Sequence, residues 1–219
     1  MLDIKISQEL KKMCPDITLG LIQGNVCVKP SCESLLKEID NYCDYLKEEI
    51  NLNELVSDFR IKDGRESYKK LGKSPSKYRL SSEALLRRIL NGKGIYKVNN
   101  IVDINNLISI KSKFPVGSYD INNISSSVIL DKAKDGETYK GIGKDFINIE
   151  YLPVLYDGSG AFGSPTSDSE RAMVRDCSKE IIMCIYSFSG KENIQIYLNE
   201  AKELLEMYAE GRNLEIKII

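Results

Sequence analysis

The chain has 219 residues, of which 42% are hydrophobic, and it carries a formal net charge of −1 with no histidine. This length suits one large domain with an N-terminal elaboration, and the apolar content is sufficient for a core. The lack of histidine in the sequence excludes Ser-His-Asp and Cys-His nucleophile systems, imidazole zinc sites and imidazole general bases. Any catalysis must therefore use carboxylates, hydroxyls, amides or groups of the substrate.

Charge is distributed unevenly along the chain. Residues 31–58 contain eight acidic side chains and two lysines, whereas residues 60–97 contain twelve basic and three acidic side chains. A basic segment of this kind can face phosphate groups, and it can equally well pair with the acidic segment beside it. The charge pattern leaves both interpretations open.

Cysteine spacing and hydropathy limit the class of protein. The six cysteines form no Cys-x-x-Cys pair, so we expect no metal site and no cofactor, and we expect reduced cysteines buried in the core. The first residues carry charges where a signal peptide is apolar, and no apolar run approaches the ~20 residues of a membrane span. We therefore expect a cytoplasmic protein with no membrane partner. The sequence does not indicate its oligomeric state.

The N-terminal part is predicted to contain two strand regions and one clear helix. Alternation predicts a strand from Leu2 to Ile6 and a hairpin from Ile17 to Val28 that turns at Gly24. From Glu33 to Ile50, apolar residues recur at three- and four-residue steps, which predicts an amphipathic helix.

Two further helices follow. One begins at Ser81 or Ser82 and ends at Asn91. Asp103 is predicted to be the N-cap of a shorter helix, with Asn105 and Asn106 in its first turn. Amide side chains beside the unpaired amides of a first turn form a site for a carbonyl group or an anion, although the two asparagines can also serve only in capping.

The C-terminal half is predicted to be rich in strands. Three short antiparallel strands are expected between Val128 and Tyr156, then a strand from Lys179 to Phe188, a helix from Ile194 to Ala209 and a strand from Leu214 to Ile219. Strands and helices are segregated, which favours an α+β fold. We expect residues 1–70 to form an N-terminal arm of strands and helices, packed in one compact unit on a domain of residues 71–219.

The segment 163–171 packs four hydroxyls, two carboxylates and one guanidinium into nine residues. Such a density of short polar groups is typical of a binding loop, and it is also typical of a solvated loop with an N-cap.

These motifs, in this order, resemble the B3/B4 domain of the phenylalanyl-tRNA synthetase beta subunit and, more closely, its free-standing relatives. The resemblance covers residues 71–189, and the matching segments are 82–88, 98–106, 114–120, 136–137 and 165–171. It implies an α+β fold with a β-sandwich-like core of mostly antiparallel strands and flanking helices. It also implies an editing pocket, which in the synthetase hydrolyses tyrosine wrongly attached to phenylalanine tRNA.

Site residues follow from the same resemblance. Asn106 matches an asparagine that lines the family's pocket, and residues 163–171 match a second pocket wall. The catalytic candidates are therefore Asn105, Asn106, Thr166, Ser167 and Asp168. The substrate-binding candidates are Glu137, Gly163, Ser164, Ser169, Glu170 and Arg171. The candidates for RNA contact are Arg79, Arg87 and Arg88.

The resemblance implies a trans-editing hydrolase that acts on the aminoacylated 3′ end of tRNA. An activated ester can be hydrolysed without histidine if amides stabilise the oxyanion and a carboxylate or ribose hydroxyl acts as base. A tRNA-binding or amino-acid-binding module without turnover remains the alternative. The amino acid also stays open, because residues 161–164 lack the acidic and histidine residues of the synthetase loop.

Overall fold

The computed structural model describes residues 1–125 and 127–219, which form seven α-helices and ten β-strands. The helices are α1 (Gln8–Met13), α2 (Glu33–Glu49), α3 (Leu52–Ser57), α4 (Phe59–Leu71), α5 (Ser81–Leu90), α6 (Asn100–Ser112) and α7 (Ile194–Ala209). The strands are β1 (Asp3–Ile6), β2 (Thr18–Asn25), β3 (Val116–Asp120), β4 (Ser127–Lys132), β5 (Thr138–Lys140), β6 (Phe146–Asn148), β7 (Pro153–Asp157), β8 (Gly160–Gly163), β9 (Glu180–Ser187) and β10 (Arg212–Ile218).

The strands form two four-stranded sheets, with the orders β1-β4-β7-β8 and β10-β2-β9-β3, and a separate pair of β5 and β6. Every described pair is antiparallel except β1 with β4. The rings of Tyr119 in β3 and Phe162 in β8 pack edge to face at 5.2 Å, so the two sheets share a buried aromatic contact. The predicted α+β class of mostly antiparallel strands with helices around them is confirmed.

The predicted bounds of the two helices with the clearest apolar periodicity are confirmed to within one residue. Helix α2 ends one residue before the predicted Ile50, and it buries Leu35, Ile39, Cys43 and Leu46 at three- and four-residue steps. Helix α7 has the predicted bounds. An apolar stripe of this kind has a single way to face the core, which is why the pattern suffices.

The hairpin predicted at Gly24 is wrong. Strand β2 runs straight through this glycine and lies between β10 and β9 in its sheet. A Cβ atom at Gly24 would lie 2.8 Å from the carbonyl oxygen of Arg212 and 2.9 Å from that of Asn213. The glycine therefore lets β10 approach β2 closely, a role that local sequence does not distinguish from a turn.

The three strands predicted between Val128 and Tyr156 are also wrong in number. Four strands occupy this region, because β4 pairs with β7 while β5 and β6 form a hairpin between them. This inserted hairpin matters for the site, since its tip reaches the polar loop. The amide of Ile142 donates to the carbonyl of Asp168 at 3.2 Å.

Only half of the cysteines are buried, so the prediction of six core cysteines is wrong. Cys14, Cys43 and Cys184 are buried, and Cys27, Cys32 and Cys177 are exposed; all six are free. The exposed ones lie outside the strands and helices that carry the core. Among the described residues, no helix is long and apolar enough to cross a membrane.

Candidate active site

A cavity of about 690 Å³ lies between α5, α6, β3 and the loop after β8. Four of the five catalytic candidates lie in its wall: Asn105, Asn106, Thr166 and Asp168. Ser167 does not, because it lines a smaller cavity of about 200 Å³ next to the first. Two polar segments that are distant in sequence thus meet around one space.

The start of α6 orients the first of these segments. Asn99, rather than the predicted Asp103, is the N-cap, and its side chain accepts a 3.0 Å hydrogen bond from the amide of Val102. Asp103 lies inside the helix and accepts from the amide of Val98 at 2.9 Å and from the hydroxyl of Ser31 at 2.6 Å. Because the helix begins earlier than predicted, Asn105 lies in its second turn.

Asn105 connects α6 to β3. Its amide nitrogen donates to the carbonyl of Val116 at 2.9 Å, and its oxygen accepts from the hydroxyl of Ser118 at 3.0 Å. The side chain is buried. One amide hydrogen and the carbonyl oxygen are therefore already engaged, and Asn105 chiefly holds the cavity wall together.

Asn106 differs from its neighbour. Its side chain is partly exposed in the cavity wall, and it makes no hydrogen bond to any residue of the described ranges. An asparagine amide offers two donors and one acceptor oxygen. Both donors and the acceptor oxygen of Asn106 therefore remain available to a ligand in the cavity.

Ser164 organises the second polar segment from within. Its hydroxyl accepts from the amides of Thr166 at 3.3 Å and Ser167 at 3.1 Å, and it donates to the carbonyl of Ser167 at 2.8 Å. Thr166 in turn shares a 2.8 Å hydrogen bond with the buried hydroxyl of Tyr68. These bonds make residues 164–168 a tight turn that is held in one conformation.

Asp168 stands at the end of this turn, in the cavity wall. Its Oδ1 accepts hydrogen bonds from the hydroxyl of Tyr119 at 2.8 Å and from the amide of Ser164 at 3.1 Å. Burial raises the pKa of Asp168 to about 6, and these two hydrogen bonds oppose the rise because they favour the ionised form. A carboxylate of this pKa is ionised at neutral pH and retains an affinity for protons.

Behind Asp168, two buried tyrosines form a polar chain that sequence reasoning missed. The hydroxyls of Tyr119 and Tyr186 are 2.8 Å apart, and both side chains are fully buried. Burial raises the pKa of each phenol well above its ordinary value, so both stay protonated. Since the hydrogen of Tyr119 points to Asp168, Tyr186 donates to Tyr119. In the sequence both tyrosines sit in apolar strand segments, where they read as core residues.

The chain of tyrosines explains Gly163, which was predicted to bind substrate. A Cβ atom at Gly163 or at Gly117 would collide with the phenol of Tyr119. Both positions must therefore be glycine for the phenol to reach Asp168. Gly163 therefore acts on the cavity wall indirectly, by leaving space for the phenol that orients Asp168.

The other substrate-binding candidates line a second cavity of about 480 Å³. These are Glu137, Ser169, Glu170 and Arg171, while Arg175 lines both this cavity and the larger one. Several of their polar groups are already bonded. Glu137, for example, accepts from the hydroxyl of Tyr156 at 2.7 Å and from the amide of Lys134 at 2.9 Å.

Both terminal nitrogens of the Arg171 guanidinium are engaged. Its two terminal nitrogens contact the buried carboxylate of Asp157 at 2.9 and 3.1 Å and the carbonyls of Asn123 at 2.9 Å and Gly160 at 3.0 Å. Burial raises the pKa of Asp157, but the hydrogen bonds from Arg171 and from backbone amides outweigh it and keep the pKa below its ordinary value. This bidentate pair ties the loop to β7 and β8.

The three arginines predicted to contact RNA have different surroundings. Arg87 donates to the buried carboxylate of Glu83 at 2.8 Å, which also binds Arg65 at 2.9 Å. Arg88 lines the larger cavity, where its guanidinium lies 4.0 Å from the ring centre of Tyr96. Arg79 is exposed and lies outside the cavity wall.

The described residues contain no group of three or more side chains suited to hold a metal ion. The cavity wall contains the available amide of Asn106, the carboxylate of raised pKa at Asp168 and the arginines Arg88 and Arg175. Polar groups that converge in a mostly apolar cavity are the usual form of a site for a small molecule or a substrate end.

Comparison with known proteins gives two matches. The model of the B3/4 domain family matches residues 63–205. A crystal structure of an N-terminal fragment of the phenylalanyl-tRNA synthetase beta subunit from Pyrococcus horikoshii is similar with a TM-score of 0.47 and 11% identity. The alignment covers 99% of this chain and 50% of that one, so the chain spans about half the length of the fragment. No curated protein sequence matches significantly.

Proposed function

Since the chain belongs to the B3/4 domain family, we propose that it is a trans-editing hydrolase of mischarged aminoacyl-tRNA. One observation carries the proposal: the amide of Asn106 and the carboxylate of Asp168 line the same cavity of about 690 Å³. These are the two kinds of group that hydrolysis of an activated ester needs when the protein has no histidine.

In the proposed reaction, Asp168 accepts a proton from a water molecule. The water oxygen then adds to the ester carbonyl carbon. Asn106 donates a hydrogen bond to the oxyanion that forms, and the hydroxyl of Thr166 helps to orient the water. When the carbon–oxygen bond to the ribose breaks, Asp168 returns the proton to the ribose oxygen. The products are a free amino acid and a tRNA with an intact 3′ end.

The raised pKa of Asp168 supports its role as the base. A carboxylate of ordinary pKa is a weak base at neutral pH, whereas one with a pKa of about 6 is both ionised and appreciably basic. Tyr119 keeps the carboxylate oriented by its 2.8 Å hydrogen bond to Oδ1, and Oδ2 accepts no hydrogen bond from the described residues. Asn105 contributes by fixing β3 and α6 against each other.

The test is a deacylation assay with a panel of tRNAs that each carry a correct or an incorrect amino acid. We expect accelerated ester loss for at least one mischarged tRNA, with little hydrolysis of the matching correct pair. The Asn106→Ala and Asp168→Asn variants serve as controls for the site. Acceleration that survives both substitutions would locate the reaction elsewhere.

A second substrate set separates the two roles that Asp168 can have. Acetylating the amino group of the substrate removes the ammonium ion but keeps the ester. If Asp168 acts on water, the acetylated substrate is hydrolysed at a comparable rate; if Asp168 binds the ammonium, hydrolysis falls sharply.

The alternative function predicts a different result. Binding of tRNA without hydrolysis of any aminoacyl-tRNA in the panel would favour a non-catalytic tRNA-binding or amino-acid-binding module.

A further inference from the structure

The wall of the larger cavity carries three exposed apolar side chains, one of which is Ile142 at the tip of the β5–β6 hairpin, 45% exposed. In the connection between α5 and α6, Tyr96 is 62% exposed and Val98 is 61% exposed, and both line the cavity. Ile95, next to them, is buried and anchors this connection to the core. Single exposed apolar side chains are ordinary, but three of them in the wall of one cavity indicate a surface that a ligand covers.

Arg88 stands beside Tyr96. Its guanidinium lies over the ring of Tyr96 at 4.0 Å, and its Nε is buried with no hydrogen-bond partner in the described part of the chain. Arg87, the next residue before it, is held by Glu83 instead. A guanidinium against an aromatic ring, with donors to spare, suits a flat base together with an anionic phosphate.

The part of α6 that lines the cavity is long enough for a nucleoside to lie beside it. Asn99, Val102 and Asn106 all line the cavity, and their spacing places them along one face of α6. Seven residues of helix correspond to ~10 Å, so the rim at the start of α6 and the amide of Asn106 are well separated. An aminoacyl ester at Asn106 leaves this interval for the ribose and the base to which it is attached.

We propose that Tyr96 and Arg88 bind the 3′-terminal nucleotide of the RNA. The base stacks on the exposed part of the Tyr96 ring and contacts Val98, and Arg88 contacts the phosphate that precedes the nucleoside. This inference rests on the proposed function, because it assigns the cavity to an aminoacylated 3′ end. It makes the nucleoside a required part of the ligand, so that free amino acids and their simple esters bind poorly.

Binding of stable analogues tests this assignment without requiring turnover. The probes are 3′-amino-3′-deoxyadenosine 5′-monophosphates acylated through an amide bond with alanine, leucine, phenylalanine or tyrosine, each paired with the methyl amide of the same amino acid. Calorimetry on the full chain gives the affinity of each pair. We expect the nucleotide to increase affinity at least about tenfold in one or more pairs, as stacking on an aromatic ring does.

Variants identify the residues responsible. Tyr96→Ala should abolish most of this gain and Tyr96→Phe should keep it, while Tyr45→Ala, at an exposed tyrosine outside the cavity wall, should change nothing. Arg88→Met should weaken the phosphorylated probe more than the same probe without its phosphate. The assignment is overturned if the nucleotide adds no affinity in any pair or if Tyr96→Ala binds like the wild type.

The test of the nucleotide site can fail or succeed independently of the test of the hydrolase. Loss of the nucleotide gain in Tyr96→Ala, in a protein that hydrolyses no ester, would support the nucleotide site and reject the hydrolase. Hydrolysis with equal efficiency for an aminoacyl-tRNA and for the methyl ester of the same amino acid would support the hydrolase and reject the nucleotide site.

Discussion

The phenol of Tyr119 donates a 2.8 Å hydrogen bond to the carboxylate of Asp168 from the buried side of the cavity wall. Tyr186 supports this phenol from further inside at 2.8 Å. The carboxylate is thus oriented by groups that no ligand touches. The buried residues that position Asp168 are therefore distinct from the residues that line the cavity.

The side-chain amide of Asn106 lines the cavity, and its donors are not used by any of the described residues. Replacing it with alanine should lower kcat/KM for ester hydrolysis by about 10²- to 10³-fold, the usual effect of removing one oxyanion donor. Stability should change little, because this side chain has no partner among the described residues. Ser167→Ala is the matched control, since Ser167 faces the smaller cavity, and it should keep near-normal kinetics. Equal losses in both variants would contradict the assigned roles.

Asp168 should give the reaction a rising pH profile. The ionised carboxylate is the active form, so kcat/KM should increase with pH through about 6 and then level off. Tyr119→Phe removes a hydrogen bond that favours the ionised form, so the inflection should move to higher pH. The measurement is the enzymatic rate minus spontaneous ester loss at each pH. An unchanged inflection in Tyr119→Phe would argue against Asp168 as the base.

Gly163 should not tolerate a side chain. A Cβ atom there collides with the phenol of Tyr119, so Gly163→Ala should cost about 1–3 kcal/mol of unfolding free energy and displace Tyr119 from Asp168. Urea unfolding measures the first effect, and a shifted pH profile reports the second. Gly158→Ala is the control, because its Cβ would meet only the side chain of Ser125, with the hydroxyl oxygen at 3.2 Å. Wild-type behaviour of Gly163→Ala would contradict the packing argument.

Arg171 should affect stability rather than ligand affinity. Its removal leaves the buried carboxylate of Asp157 with only the backbone amides of Ser125 and Ser159 as donors. We expect Arg171→Ala to lose about 3 kcal/mol of unfolding free energy, as when one partner of a buried ion pair is removed. Denaturant titration measures it. Normal stability together with lost substrate binding would show that Arg171 binds substrate, as the sequence predicted.

Arg87 and Arg88 should behave differently although they are adjacent. Arg88→Met should weaken tRNA binding and reduce the slope of log affinity against log salt by about one. Arg87→Met should leave that slope unchanged and lower stability, because Glu83 is fully buried and depends on Arg65 and Arg87. Filter binding over a salt series, combined with thermal unfolding of both variants, distinguishes the two roles. A flat salt response of the wild type would remove RNA as a partner.

Periodicity predicted the secondary structure where one face of an element is buried. The predicted bounds of helix α7 and strand β9 agree with the structure to within one residue. The reason is that the apolar residues of each element recur at the spacing of one element type. Gly24 was misread because a glycine that admits a neighbouring strand has the same local signature as a turn glycine. The N-cap of α6 was misplaced because Asn99 and Asp103 are both good capping residues, and only the partners of Asp103 decide between them.

For the site, the sequence identified Asn106 and Asp168 as candidates, because short polar side chains and the family resemblance mark both segments. Which groups remain free for a ligand depends on long-range contacts. Asn105 and Arg171 look equally suitable in the sequence, yet they bond to residues from other parts of the fold and stabilise the structure instead. Ser164 stabilises its own turn. Composition and local pattern therefore determined what chemistry this protein can carry. Only the packing of β3, β8 and β9 decided that a buried tyrosine would orient the carboxylate of Asp168 at the cavity, since hydrogen bonds between distant segments leave no trace in local sequence.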